Sequence, residues 1–305
     1  MTIASTRSDA PPPLWDAHCH STYSDGMLTV PELVARAAAV GITVLAITDH
    51  DTVDHWPTVS SECIRHAVRP LLGAEISVVH RGLPLHILIY LRQAPAALLA
   101  VLDDQRQARI ERTSEILDRV RELGFRINAE SLAKSAGTVG RPAIARAVLA
   151  DEENRDLLRK HGIAAHDEFF AKFLVRGGDC YAERRRVPAE DLLSIVREQG
   201  GVASLAHPIW STRSRPESLP VIVDALHQCG LNAIEVYYPT HAETDVRNLI
   251  GLAAAHDLSH TAGSDFHFDG DQRSPRLGSW IASTSSSVAV PPALLSLALP
   301  GEPHV

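Results

Sequence analysis

Short apolar runs alternate along the chain with segments whose apolar residues recur at helical spacing. Ile42-Thr-Val-Leu-Ala-Ile-Thr48 is an apolar, β-branched run of the kind that forms buried parallel strands. Similar runs stand at Leu71 to Ile76, Leu85 to Leu91, Val202 to Ala206, Ala233 to Tyr237 and His260 to Gly263. Helical patterns separate many of them. Thr29-x-x-Glu32 is a capping box with Pro31 in the first turn, and Val30, Leu33, Val34, Ala37 and Ala38 follow at helical spacing until Gly41. Pro188 to Gln199, followed by Gly200-Gly201, and Leu219 to Cys229 repeat the pattern. Strands separated by helices predict an α/β fold, either a (β/α) barrel or a doubly wound sheet.

The middle of the chain breaks this rhythm. Asp103 to Leu123 reads as a long charged amphipathic helix, Ala129 to Ala136 as a short one, and Arg141 to Leu149 as a third with Pro142 in its first turn. Asp151 to Lys160 and His166 to Leu174 extend the helical stretch, and Gly177-Gly178 punctuates the return. The expected organisation is a disordered tail over 1–13 ending in Pro11-Pro12-Pro13, an α/β body over 14–102 and 178–290, an all-helical insertion over 103–177 and a C-terminal tail over 291–305.

Composition and charge narrow the class. The 305 residues are 45% hydrophobic and 22% charged, which suits a folded globular chain. No apolar run approaches the ~18 residues of a membrane span, and the first residues hold no signal-peptide core, so the expected address is the cytoplasm. Four cysteines without a CxxC pair argue against a disulfide framework and a cysteine zinc site. The net charge of −8 opposes long nucleic acids and anionic membranes. Residues 103–176 carry 14 basic and 13 acidic side chains, leaving 15 and 24 elsewhere, so the insertion differs electrically from its flanks.

The chemistry lies where apolar runs stop. Asp16-Ala-His18-Cys-His20 places two imidazoles on one side of an extended segment, able to ligate one metal. Thr48-Asp49-His50-Asp51-Thr52 closes an apolar run with polar residues in series, where a satisfied capping network is the structural alternative. Glu75 and His86 sit inside otherwise apolar stretches, where an unpaired carboxylate or imidazole is costly. Asp265-x-His267 repeats the same-face spacing of His18 and His20.

Taken in order, His18-x-His20, Thr48-Asp-His-Asp-Thr52, Gly73-Ala-Glu-Ile-Ser77, Ala206-His-Pro208 and Gly263-Ser-Asp-Phe-His267 resemble the metal motifs of the polymerase and histidinol phosphatase (PHP) family of phosphoesterases. The resemblance runs from about Leu14 to Gly270. The helical insertion, with Gly140-Arg141-Pro142, is similar to the branch acting on nucleoside 3′,5′-bisphosphates and on short RNA 5′ ends, although Ala143 stands where that branch often has histidine. The resemblance implies a distorted (β/α)7 barrel with two or three divalent metals. By it, His18, His20, Glu75 and Asp265 hold one metal, while Glu75 bridges to a second held by His86 and His207. Asp25, His50 and His267 make a third site.

Imidazole and carboxylate ligands suit manganese, iron or zinc, with manganese expected first. The implied reaction is in-line attack on phosphorus by a metal-bridging hydroxide, with Asp265 and His207 as catalytic residues. Arg141, Arg184 and His267 are the candidate substrate contacts. Arg141 opens a helix, where guanidinium and helix terminus both favour an anion; Arg184 belongs to the basic run Arg184-Arg185-Arg186. Trp210, Tyr237 and Tyr238 follow strand ends and either stack on a base or pack at the rim. Three readings stay open. The first is a phosphomonoesterase acting on nucleotides: the 3′-phosphate of nucleoside 3′,5′-bisphosphates, or short oligonucleotide 5′ ends. The second is a phosphatase or cyclic phosphodiesterase acting on a small sugar or amino-alcohol phosphate. The third is a metal- and nucleotide-binding module without turnover. The expected partner is a small phosphorylated molecule or short RNA, with no membrane and no obligate protein.

Overall fold

Parallel strands built from the early apolar runs form one sheet of the α/β fold. The computed structural model describes residues 14–128, 132, 140–270, 276–280 and 288–299. β1 (Leu14–Asp16), β2 (Ile42–Leu45) and β3 (Arg69–Pro70) lie parallel in the order β1-β2-β3. A second sheet runs β6-β4-β5-β7-β8-β9, built from β4 (Gly73–His80), β5 (Leu83–Tyr90), β6 (Val187–Pro188), β7 (Val202–Leu205), β8 (Ala233–Tyr237) and β9 (Ser259–Ala262). Isolated parallel bridges join the two sheets, Cys19 to Phe266 past the ends of β1 and β9 and His50, past β2, to Glu75 of β4.

Strand direction departs from the expected all-parallel pattern. β5 is antiparallel to both β4 and β7. The cause is a two-residue turn in which Arg81 and Gly82 both take positive φ, 48° and 78°, the geometry that reverses a chain without splaying its strands. The reversal pairs Ser77 with His86, so Glu75 and His86 lie on one face as diagonal neighbours.

Eleven α-helices are present among the described residues: α1 (Val30–Ala39), α2 (Trp56–Arg65), α3 (Ala96–Glu122), α4 (Arg141–Leu149), α5 (Arg155–Lys160), α6 (His166–Phe169), α7 (Ala189–Glu198), α8 (Pro208–Ser211), α9 (Leu219–Cys229), α10 (Glu243–Ala255) and α11 (Pro292–Leu297). The capping box of α1 forms as expected, with the Glu32 carboxylate accepting from the Thr29 N–H at 2.8 Å and from its hydroxyl at 2.6 Å. None of the described helices is long and apolar enough to cross a membrane.

Three hydrophobic clusters divide the interior. The largest packs Leu192, Leu226 and Leu249 of the helices against Ile76, Ile87, Leu205 and Ile234 of the strands. A second lies under α1 and β2. The third joins Ile116 and Val120 to Phe125, Ile144, Phe169, Phe173 and Cys180, within and just beyond the stretch read as an insertion. α3 starts at Ala96 rather than Asp103, because the apolar residues Leu98 and Leu102 belong to the helix and enter the largest cluster. The boundary at 102/103 therefore falls inside one continuous helix. The helix over Ala129 to Ala136 and the tail over 1–13 lie outside the described residues, apart from Leu132.

The C-terminal tail needs correcting. Instead of a free segment after 290, α11 docks on the body with Leu294 fully buried, and the Leu299 N–H donates to the Pro70 carbonyl at 3.0 Å. Leu294→Ala is expected to destabilise the protein by about 2–3 kcal/mol, the low end for a buried leucine because a terminal helix can relax. Urea unfolding measures this, and an unchanged midpoint would return the segment to a tail.

Candidate metal centre

β1 leads into an extended stretch that buries His18 and His20 completely. His50 follows β2, Glu75 and His86 come from the β4–β5 hairpin, His207 follows β7, and Asp265 and His267 follow β9. Close packing sets this geometry: a Cβ at Gly263 would sit 2.1 Å from that of His18. Asp51, His207 and Asp265 hold positive φ, at 54°, 29° and 52°. Such backbones cost roughly 1–3 kcal/mol each and cluster at functional sites.

At the centre is the fully buried Glu75 carboxylate, ringed by five imidazoles. Its Oε2 lies 3.3 Å from His18 Nε2, 3.3 Å from His20 Nε2 and 3.1 Å from His50 Nδ1. Its Oε1 lies 2.7 Å from His86 Nδ1 and 2.9 Å from His207 Nε2. Asp265 Oδ1 is 3.1 Å from His20 Nε2 and 3.4 Å from His18 Nε2. Asp25 reaches in from a more exposed position, 3.3 Å from His267 Nε2 and 3.7 Å from His50 Nε2. All nine residues singled out for ligation thus meet in one place.

Electrostatics follow from crowding buried charges. Burial alone would raise the Glu75 and Asp265 carboxyls, but the surrounding imidazoles hold both well below the usual range. Burial disfavours an imidazolium at His20, yet Asp265 and Glu75 push it up to about 10. Burial wins at His50, which falls to about 4.

Three groups of donors have their ligand atoms within 4.8 Å of one another: His18, His20, Glu75 and Asp265; His50, Glu75 and His86; and His20, Asp25, His50 and His267. The first is the set expected from the sequence. In the second, His50 on Glu75 Oε2 takes the place expected for His207, which shares Glu75 Oε1 with His86; the third gains His20. His20 Nε2, His50 Nδ1 and His86 Nδ1 are buried without a hydrogen-bond partner. Orphaned nitrogens at a carboxylate-rich centre are what a divalent cation would satisfy, and an all-nitrogen-and-oxygen donor set fits such an ion.

Comparison with known proteins decides the family. Residues 16–171 match the PHP domain. The phosphoribosyl 1,2-cyclic phosphate 1,2-diphosphodiesterase of Eggerthella lenta is 30% identical, the alignment covering 83% of this chain and 93% of that protein. The chain belongs to the PHP family. Two further relatives are the 5′-3′ exoribonuclease Rnm of Salmonella typhimurium, 31% identical over 83% of this chain and 85% of its own length, and the 3′,5′-nucleoside bisphosphate phosphatase of Chromobacterium violaceum, 30% identical over 84% and 88%. Membership makes this chain a metal-dependent phosphoesterase.

A further shell orients the PHP donors. The His18 Nδ1–H donates to Glu235 Oε1 at 2.8 Å, which leaves Nε2 facing the centre, and Glu235 Oε2 accepts from the His207 N–H at 2.6 Å. Asp16 accepts from the backbone of His18, Ser264 and Gly278, tying the first strand to the last. The Tyr238 hydroxyl donates to Asp265 Oδ2 at 2.7 Å. Sequence reasoning passed over Glu235, and the available signal was an acid inside the apolar run Ala233–Tyr237.

The candidate substrate contacts fare differently. Arg184 is buried, with Nη2 2.8 Å from Asp51 Oδ2 and 3.0 Å from Gln105 Oε1, so it is engaged inside the protein rather than turned to an anion. Asp51 also binds Arg109 of α3, a coupling that the basic run did not suggest. Arg141 opens α4, donates to the Leu174 carbonyl at 2.9 Å and stacks over Phe170 and Tyr181. Arg112 and Arg186 are its electrostatic neighbours, and burial followed by the Arg141 charge pushes Arg112 down to about 10. Ala143 is buried in α4. His267 stacks on His20 with ring centroids 4.2 Å apart, within the metal centre. A cleft of about 1020 Å³ opens beside His50 and Asp51, walled by Tyr23, Val53 and a face of α3 that includes Leu99, Arg106, Arg109 and Ile110.

Proposed function

We propose that this PHP-family chain hydrolyses phosphate monoesters of nucleotides, either the 3′-phosphate of nucleoside 3′,5′-bisphosphates or the 5′ end of a short oligonucleotide. The observation that carries the reading is the Glu75 cluster opening onto a cleft with arginines on its helical wall. The two bridged sheets are read as a distorted (β/α)7 barrel, with residues 103–177 as the insertion that forms this wall. The nine donors His18, His20, Asp25, His50, Glu75, His86, His207, Asp265 and His267 would hold two or three divalent ions, manganese first and iron or zinc next. Bound there, such ions neutralise phosphoryl charge and make water a nucleophile near neutral pH.

The chain's own side chains do the rest. Asp265, kept ionised by its imidazole neighbours and fixed by Tyr238, is the proton acceptor that orients an attacking water. His207, held on Glu75 and sharing a hydrogen bond with Ser211, faces the reacting phosphoryl group. Arg141, with Arg112 and Arg186 near it, meets a second phosphate. The second reading, a cyclic phosphodiesterase of base-free ribose phosphates, draws on the likeness to the Eggerthella lenta enzyme.

The test is phosphate release by the manganese-loaded protein from adenosine 3′,5′-bisphosphate, adenosine 5′-monophosphate, a 5′-phosphorylated short RNA and a ribose cyclic phosphate. A second charge-assisted phosphate contact predicts kcat/KM about 10- to 100-fold higher for the bisphosphate than for the monophosphate. Turnover confined to the cyclic phosphate would replace the first reading with the second.

A further inference from the structure

We propose that Trp210 is a stacking platform for the base of the substrate, so that the enzyme reads a nucleobase as well as a phosphate; this rests on the nucleotide reading above. Of the three aromatic residues at or past strand ends, Tyr237 and Tyr238 are buried, and Tyr238 is committed to Asp265. Trp210 is 43% exposed. It stands on α8, directly after His207, and meets the His207 imidazole edge to face with ring centroids 5.8 Å apart. The positive φ of His207 starts α8 at the metal centre itself, which brings the indole within one ring of a side chain touching Glu75.

The indole is preorganised. The Arg213 guanidinium lies 3.9 Å over its ring, and Arg213 Nη1 donates to the Trp210 carbonyl at 2.7 Å. α8 is pinned in turn, with the Thr212 N–H and hydroxyl both donating to the Pro208 carbonyl at 3.0 and 2.9 Å. A fixed, partly exposed indole already carrying a cation offers a flat surface at little ordering cost, and stacking of this kind accepts any base. The residues that follow, Thr212, Ser214 and Arg215, line a cleft of about 420 Å³ together with Arg81 and Arg176. Arg213 on the ring and Arg215 just beyond it suit a phosphorylated nucleoside better than an uncharged aromatic compound.

The other three tryptophans make the platform observable. Trp15, Trp56 and Trp280 are buried, and each donates its indole N–H to a backbone carbonyl. Quenching of intrinsic fluorescence by a bound base therefore reports on Trp210. The experiment titrates the manganese-loaded enzyme with adenosine 5′-monophosphate and with ribose 5-phosphate, then compares kcat/KM for both in wild type, Trp210→Ala and Trp210→Phe. The expected result is quenching by the nucleotide alone and a preference for nucleotide over ribose phosphate that falls about tenfold or more in Trp210→Ala through KM, with most of it restored in Trp210→Phe. An unchanged preference in Trp210→Ala, or equal quenching by both ligands, overturns the platform. Nucleotide turnover without base-dependent quenching sinks the platform and spares the nucleotide reading. Base-dependent quenching without nucleotide turnover does the reverse.

Discussion

Glu75→Gln is expected to lower phosphate release by about a thousandfold or more and to empty the metal centre while leaving the fold intact. Glutamine keeps the shape of the side chain but removes the charge on which His18, His20, His50, His86 and His207 converge. The lost metal-assisted stabilisation amounts to several kcal/mol, and each 1.36 kcal/mol is a factor of about ten in rate. Metal content by mass spectrometry and steady-state turnover measure the two effects together. Turnover within tenfold of wild type would remove Glu75 from the centre. The metal-free protein adds a signature in pH. The depressed Glu75 contributes fully above its unfolded value of about 4.3 and is lost as pH falls below it. The raised His20 contributes fully below about 6.5 and is lost as pH rises through its folded value of about 10. Metal-free wild type should therefore gain most from this pair in mildly acidic solution, and Glu75→Gln should flatten the profile.

Asp51→Asn should cost about 3–5 kcal/mol of stability, because it strands a buried guanidinium. Asp51 and Arg184 have side chains only 3% and 6% exposed, and Asp51 also accepts from the Ser77 N–H at 2.8 Å. Burial would raise this carboxyl, but Arg184 and then Arg109 reverse that and hold it well below the usual range. Its contribution is complete above an unfolded value of about 3.9 and drains away as pH drops from there toward the depressed folded value. Chemical denaturation at neutral pH reads the loss. Pairing the change with Arg184→Met should recover part of it, since a buried ion pair replaced on both sides is often tolerated. An additive double variant would show that the two residues do not depend on each other.

Much of the metal centre was legible because metal donors at the ends of apolar runs conflict with burial. His18, His20, Glu75, His86, His207 and Asp265 stand out as polar residues where the pattern demands apolar ones. Glu235 breaks the pattern in the same way but matches no motif. Strand direction was hidden for a different reason: alternation and β-branching encode burial and carry no sense of travel, so only the Arg81-Gly82 turn marks the antiparallel hairpin. A C-terminal tail was expected from residue 291, yet proline fits a helix's first turn, and α11 begins at Pro292. Arg184 was read as a substrate contact from its place in a basic run, a pattern that says nothing of a buried partner. Its partner Asp51 lies 133 positions away, beyond the reach of any local pattern.

The donors run from His18 to His267, and the Asp265 N–H closes on the His18 carbonyl at 2.7 Å. On the ribosome the chain emerges from its N-terminus, and contacts this distant in sequence form only after the intervening loop has closed. Every partly made copy up to residue 264 therefore lacks both Asp265 and His267. Two of the nine donors join the others only after β9 has been made, so the cluster around Glu75 is among the last features of this topology to be completed.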